Sequence, residues 1–354
     1  MHLLLTDIQW LRVILAGAIC LVYFSCPVHA ADKDEPHHGP DGFRNLDPSE
    51  DPGFLDLLKW RWQRLWKDSP SAEDYSFLPA ENNPAFLRSN TRRTTYTWIG
   101  HATALLQISG RNILTDPHFS MRASPVQWAG PKRVVAPGVK LDDLPPIHMV
   151  VISHDHYDSL DQTTISRLSH REGGKETVFF VPLGLKPWFQ DLGIERVVAL
   201  DWWHQHQEKD ITVTAVPVHH WSKRSIFGRN RTLWAGWAIQ TPDFRFFFSG
   251  DSGYTQQFKE IGRRLGPFDL SAIPIGAYEP RWFMRYHHMS PEEAVQVHLD
   301  VFSRKSVAIH WGTFILTDEP LDEPPIRLKR AMEERGIPVD EFLVLKHGET
   351  IFLD

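Results

Sequence analysis

The run His154-Asp155-His156-Tyr157-Asp158 puts two imidazoles and two carboxylates within five residues. In an extended turn His154 and His156 face one side, and Asp158 arrives one step further along. Further candidates lie far off in the chain but share a context. The pair His219-His220 follows the apolar run Ala215-Val216-Pro217-Val218, Asp251 comes two residues after Phe246-Phe247-Phe248-Ser249, and His310 directly follows Ser306-Val307-Ala308-Ile309. His154 and His156 likewise follow Met149-Val150-Val151-Ile152. Imidazole nitrogens and a carboxylate at about 2.0–2.2 Å suit zinc, in a tetrahedral or slightly larger shell. A lone His-x-His is weak evidence, because surface histidines are common. Separate strand-end groups of this kind favour a metal site.

Each candidate needs a strand that ends beside the others. Apolar runs predict strands over 94–98, 104–108, 112–115, 149–153, 177–181, 211–218, 233–240, 245–249, 270–274, 306–309, 342–345 and 350–353. Helices are predicted over 162–170, 256–265, 291–302 and 325–335. Pro291 with Glu292 and Glu293 is a good helix start, because proline fits the first turn and acidic groups complement the dipole. One α/β domain with two sheets covered by helices is the economical architecture. Open α/β sheets gather their sites at the carboxyl ends of strands, where these candidates lie.

Composition narrows the partners. A net charge of −6 and a pI near 6.3 imply no broad basic face, so nucleic acid is not expected. The 14 Trp and 21 Phe fit a large core, with or without an apolar groove or membrane-facing surface. Arg12 precedes an apolar run over 13–24, and Val28-His29-Ala30 offers small residues around a cleavage point before Ala31. Residues 1–30 are therefore read as an export signal or N-terminal anchor, and export favours the periplasm or a membrane face in a bacterium. Both cysteines, Cys20 and Cys26, fall in this segment, so a chain starting near Ala31 has no thiolate for a metal. Residues 31–53 are polar and rich in Pro, Asp and Gly, as a linker or extended arm would be. Phe54, Leu58, Trp62, Leu65 and Trp66 then share one helical stripe, expected first as a packing face and alternatively as a lipid-contacting one.

Longer blocks carry a family resemblance. SHDHYDSLD (153–161) resembles the His-x-His-x-Asp-His motif of the metallo-β-lactamase superfamily. TWIGHAT (97–103), LTDPHFSMRASP (114–125), GPKR (130–133), HWSKR (220–224), FFSGDSGY (247–254), FDLSAIPIGAYEPRWF (268–283), SPEEAV (290–295) and IHWGTF (309–314) look like the N-acylphosphatidylethanolamine-hydrolysing phospholipase D family. The likeness runs from about Thr94 to the C-terminus. It implies a metallo-β-lactamase αββα sandwich, two mixed β-sheets flanked by helices, over residues 91–354, preceded by a polar arm with an amphipathic helix over 31–90.

The resemblance also implies a two-zinc centre. One ion takes His154, His156 and His220, and Asp251 bridges to a second held by Asp158, Asp251 and His310. Of the His219-His220 pair, His220 precedes Trp221 as the family's ligand does. His288, before Met289-Ser290-Pro291, occupies the family's active-site histidine position outside the metal shell, so Asp251 and His288 are the catalytic candidates. Asp116 is expected to orient a ligating imidazole, or to satisfy backbone N–H groups in its turn. Ser159 departs from the pattern, since the family's motif ends in a histidine ligand of the second zinc. A hydroxyl is a poor zinc ligand beside imidazole. The expectation is one or two zinc ions, with the second site weakened and Ser159 left to orient a metal-held water.

The implied activity is that of a phospholipase D-type phosphodiesterase. Hydroxide generated at zinc attacks phosphorus of N-acylphosphatidylethanolamine and releases N-acylethanolamine and phosphatidic acid, while His288 donates a proton. A phospholipid substrate and peripheral contact with a membrane surface are the expected partners. One scaffold supports many hydrolyses, so another ester, lactone or phosphodiester stands as an alternative, as does non-catalytic binding of metal or lipid.

Overall fold

The strands are β1 His38–Gly39, β2 Gly42–Phe43, β3 Thr95–Gly100, β4 Thr103–Ile108, β5 Arg111–Thr115, β6 Met149–Val151, β7 Val178–Pro182, β8 Val197–Leu200, β9 Gln205–Glu208, β10 Ile211–Val216, β11 Gly236–Gln240, β12 Arg245–Phe248, β13 Leu270–Pro274, β14 Ser306–Ile309, β15 Phe342–Leu343 and β16 Thr350–Phe352. They come from a computed structural model that describes residues 35–47, 52–67, 70–225 and 228–353. The expected export signal and both cysteines lie outside the described residues.

Two seven-stranded sheets form, in the orders β16-β3-β4-β5-β6-β7-β8 and β15-β14-β13-β12-β11-β10-β9. Each is mixed in the same way: an antiparallel meander leads into parallel strands at β5 in one sheet and at β12 in the other. Alternation decides which side chain goes to which layer. Met149 and Val151 face the inter-sheet core with Leu106, Ile113, Phe180 and Trp237, whereas Val150 and Ile152 face an outer cluster with Leu105, Leu114 and Phe179. Helix Gln162–His170 covers that outer face through Ile165 and Leu168. Helices Gln257–Leu265 and Pro291–Asp300 cover the second sheet through Phe258, Ile261, Ala294 and Val295. The second of these starts as predicted. Ser290 N–H donates to Glu293 at 2.8 Å, and the Ser290 hydroxyl accepts the Glu293 N–H in return.

Some elements were not expected. β9 is Gln-His-Gln-Glu at a sheet edge, with no apolar alternation to announce it. The short helices Pro84–Ser89, Lys186–Asp191 and Arg281–Met284 offer too few residues for a period. Residues 233–235 do not join β11. Leu233 N–H goes to Leu183 O and Ala235 N–H to Ser153 O, which ties this stretch to the loop that carries His154.

Two readings of the N-terminal region need correction. Helix Phe54–Arg64 does form, but its predicted stripe is not a packing face. Phe54, Leu58, Trp62, Leu65 and Trp66 are 71%, 48%, 64%, 72% and 77% exposed. The helix docks instead through Trp60, which stacks on Phe283 at 5.1 Å and donates to Asp318 at 3.1 Å. A polar partner and one aromatic contact thus orient the helix against its own apolar stripe. The polar stretch within residues 31–53 is not simply an extended arm either. Residues 38–43 form the β1–β2 hairpin, Phe43 is buried in the inter-sheet core, and Phe43 N–H bonds Asn230 O at 2.7 Å.

Candidate metal centre

The His154–Asp158 run leaves β6 in a loop fixed from several sides. Asp155 is part of its scaffold: its carboxylate accepts Lys223 N–H at 2.8 Å and Thr232 Oγ1 at 3.1 Å. Arg224 donates to Asp155 O and Leu160 O. These bonds join the His154 loop to the segment after β10 that carries His220 and Trp221.

His154, His156 and His220 converge as a first cluster. His154 Nε2 lies 2.8 Å from His156 Nδ1, which lies 3.2 Å from His220 Nε2. Three nitrogens this close cannot all carry protons, but they can share a cation. The rear nitrogens select which atom faces inward. His154 Nδ1 meets Ser153 Oγ at 2.8 Å, and His220 Nδ1 donates to His287 O at 2.9 Å. Burial, then neighbouring imidazoles, push His154 and His220 well below the ordinary histidine range, so both are neutral, the form that could hold a metal ion.

Asp251 stands between this cluster and a second one. Its Oδ2 is 3.7 Å from His154 Nε2 and 3.0 Å from His310 Nε2. Neither oxygen has a hydrogen-bond partner, nor does either nitrogen of His310, although all are buried. Buried polar groups left without partners are costly unless something satisfies them, and a bridging cation would do so. Burial alone would lower His310, but Asp251 and Asp158 hold its imidazole up at about 10. Positive charge is what these carboxylates demand, and the donor set fits a divalent metal ion.

His101 completes the second cluster with Asp158 and His310, and sequence reasoning gave it no role. Its Nε2 lies 3.2 Å from Asp158 Oδ2, and His310 Nε2 lies 3.4 Å from the same oxygen. Burial, then His310, push His101 down to about 3, which keeps it neutral. His101 sits at the turn between β3 and β4, whereas His310 directly follows β14 in the other sheet. His310 N–H reaches across to His101 O at 3.0 Å. Both residues take left-handed backbone conformations, with φ of 56° and 63°, which non-glycine residues adopt at some cost. Gly276 lets the chain after β13 pass close behind His310, since a Cβ there would stand 2.1 Å from His310 O. The signal for His101 was a histidine at the tip between two strand runs, but its partners are invisible without the topology.

The remaining candidates fall into place behind or beside these clusters. Asp116 touches no ligand directly. It accepts Ser153 N–H at 2.7 Å and the Ser153 hydroxyl at 2.5 Å, so it orients His154 through Ser153 while also satisfying backbone. Burial holds the Asp116 carboxyl well above the usual carboxylate range, against the lowering pull of Ser153. Ser159 is fully buried, and its hydroxyl has no hydrogen-bond partner. His288 lies at the edge of the centre, with ring centroids 5.3 Å from His220 and 5.4 Å from His310. A ligand-type atom of His288 is within 4.8 Å of one from His220 and one from Asp251. His219 and His287 flank the centre, and His287 supports it through its carbonyl.

Residues 111–311 match the model of the beta-lactamase superfamily domain. The chain is 45% identical over 286 residues to N-acyl-phosphatidylethanolamine-hydrolyzing phospholipase D 1 of Caenorhabditis elegans, covering 77% of this chain and 80% of that one. It is 31% identical over 247 residues to the mitochondrial N-acyl-phosphatidylethanolamine-hydrolyzing phospholipase D of Saccharomyces cerevisiae, covering 68% of this chain and 52% of that one. In fold it is similar to a metallo hydrolase of Ignicoccus hospitalis, with TM-score 0.56 and 19% identity over 74% of this chain and 99% of the other.

Proposed function

Because the chain is a metal-dependent hydrolase of the N-acylphosphatidylethanolamine-hydrolysing phospholipase D family, in the beta-lactamase superfamily, we propose that it cleaves N-acylphosphatidylethanolamine to N-acylethanolamine and phosphatidic acid. The similarity to the C. elegans protein over 80% of that chain carries this reading. The net reaction adds water across the bond between phosphorus and the ethanolamine oxygen. The phosphoryl group keeps the water's oxygen, and the alcohol leaves with a proton.

Zinc is the proposed metal, since histidine nitrogens and carboxylate oxygens without thiolate suit it. We assign His154, His156 and His220 to one ion, Asp158, His310 and His101 to a second, and Asp251 to both. His101 takes the place left by Ser159. Bound zinc supplies Lewis acidity and lowers the pKa of water toward neutrality. His288 faces the centre from outside these ligand sets and is assigned to the departing oxygen or a phosphoryl oxygen. Asp116 acts through Ser153 as a positioning residue for His154.

A lipid substrate gives the outward stripe a purpose. Phe54, Leu58, Trp62, Leu65 and Trp66 form an apolar surface whose helix meets the short helix Arg281–Met284. Arg281 of that helix donates to His288 O at 2.9 Å, so the helix bearing the stripe is linked to the segment that carries His288. Burying a large apolar side chain in an interface contributes roughly 1.5–3 kcal/mol, well above the ~0.2–1 kcal/mol of an exposed ion pair. Peripheral membrane binding follows, and an export signal over 1–30 would put it on the periplasmic side in a bacterium. Double substitution Trp62→Ser/Trp66→Ser should weaken binding to phosphatidylethanolamine/phosphatidylglycerol vesicles by about tenfold or more in a flotation assay. Unchanged flotation would remove the membrane from the proposal.

The substrate is tested with N-acylphosphatidylethanolamine in mixed micelles, reading N-acylethanolamine by mass spectrometry. Wild-type protein should release it, and Asp251→Ala should lower the rate by about 1,000-fold. Hydrolysis of a lactone or another phosphodiester with the phospholipid left intact would overturn the substrate and leave the hydrolase.

A further inference from the structure

A second group of ligand-type side chains lies outside the centre described above. His37, next to β1, and His38, in β1, meet Asp201, which follows β8. The His37, His38 and Asp201 side chains are only 4%, 7% and 7% exposed. His37 Nε2 lies 2.6 Å from Asp201 Oδ1 in a hydrogen bond, and that oxygen also accepts Trp202 N–H at 2.8 Å. His38 is different. Its Nε2 stands 2.8 Å from Asp201 Oδ2, yet neither of its ring nitrogens has a hydrogen-bond partner. An imidazole nitrogen and a carboxylate oxygen in contact without an aligned N–H are placed as two ligands of one cation are. The same contact occurs in the catalytic centre between His310 Nε2 and Asp251 Oδ2, at 3.0 Å.

The surroundings hold these rings in place. His37 stacks on Trp202 with centroids 4.4 Å apart, and His38 sets its edge against Phe43 at 5.2 Å. Ligand atoms of the three residues all lie within 4.8 Å of one another. We propose that His37, His38 and Asp201 form a structural site for a divalent transition-metal ion such as zinc, separate from the catalytic ions. Two imidazoles and one carboxylate make a donor set for tetrahedral zinc, with water as the fourth ligand.

The site has a role that its position supplies. It staples the hairpin segment to the end of β8, and the same segment carries Asn45. Asn45 Nδ2 donates to His220 O at 2.9 Å, and Asn45 Oδ1 accepts His220 N–H at 3.2 Å and Trp234 Nε1–H at 3.0 Å. Fixing the segment therefore fixes the backbone of a residue in the first histidine cluster.

The test counts zinc on the full chain after equilibrium dialysis against zinc(II). His38→Gln and Asp201→Asn should each hold one equivalent fewer than wild type. A triple variant Asp251→Ala/His156→Ala/His310→Ala, which disables the catalytic centre, should retain one equivalent. Adding His38→Gln to that triple variant should remove it. Equal zinc content in wild type and both single variants would overturn the proposal. So would a triple variant that retains no zinc, or one whose zinc survives His38→Gln. The triple variant keeps the His37–His38–Asp201 group intact, so it decides the matter even where a single variant folds poorly.

Discussion

The two halves of the proposed metal centre use different segments and different backbone. In the first, His154 and His156 come from the loop after β6, His220 joins from the segment after β10 in the other sheet, and Asp155 with Arg224 ties the two segments together. The second draws on three separate segments. Asp158 extends the same loop, but His101 comes from a turn in one sheet and His310 from a strand end in the other. Both halves join the two sheets, but only the second uses left-handed backbone at both its histidines. In the second half Ser159 stands where the motif has histidine, and we propose that the neighbouring His101 serves instead.

Paired alanine variants test this contrast, and the largest effect belongs to the first half. His156→Ala removes the nitrogen nearest both His154 Nε2 and His220 Nε2. It should abolish one zinc equivalent and lower turnover by about 1,000-fold. His101→Ala should spare the first ion and weaken the second by roughly 10–100-fold, taking as a guide what loss of a supporting metal-site residue costs. Calorimetric zinc titration reads both. If His101→Ala binds a second zinc as tightly as wild type, recruitment is wrong and that ion has no use for His101. Ser159→His sharpens the point from the other side. It should tighten the second ion by about tenfold and make His101→Ala nearly silent in that background.

The same contrast explains what could be read from residues alone. His154, His156, His220, Asp251 and His310 each follow an apolar run, and runs such as Met149–Val151 and Ser306–Ile309 do form predicted strands. Hydrophobic continuity marks a buried strand, and its end marks the site. His101 also follows a strand, but its pairing with His310 is set by the stacking of two sheets, which leaves no periodicity. β9 was hidden because its side chains are polar and edge-exposed. The stripe over 54–66 was misassigned because an amphipathic period reveals an apolar face but not what covers it. Trp60 lies off that stripe, and only its partners Phe283 and Asp318 show that it is the docking residue.

A smaller effect should appear as pH falls, and it should enter through the second half. Behind His101 stands Thr313, whose hydroxyl oxygen accepts His101 N–H at 2.9 Å and lies 3.0 Å from His347 Nε2. Burial, then Arg133, push the His347 imidazole down to about 3. Its folded pKa therefore lies below the unfolded value of about 6.5. The unfolded chain takes the proton first, so stability is fully present above pH 6.5 and declines as pH falls from there toward 3. By pH 5 the decline attributable to His347 is roughly 2 kcal/mol. His347→Gln keeps a donor for Thr313 and cannot titrate, so its melting temperature should vary less between pH 7 and pH 5 than that of wild type. Thermal unfolding of both chains with chelator present separates this from acid loss of metal. Behind the first half, Ser153 leads to Asp116, whose carboxyl is raised by burial, so protonation there favours the fold as pH falls, the opposite sign to His347. Parallel slopes for the two chains would mean that acid reaches both halves alike, and His347 would be no more than packing behind Thr313.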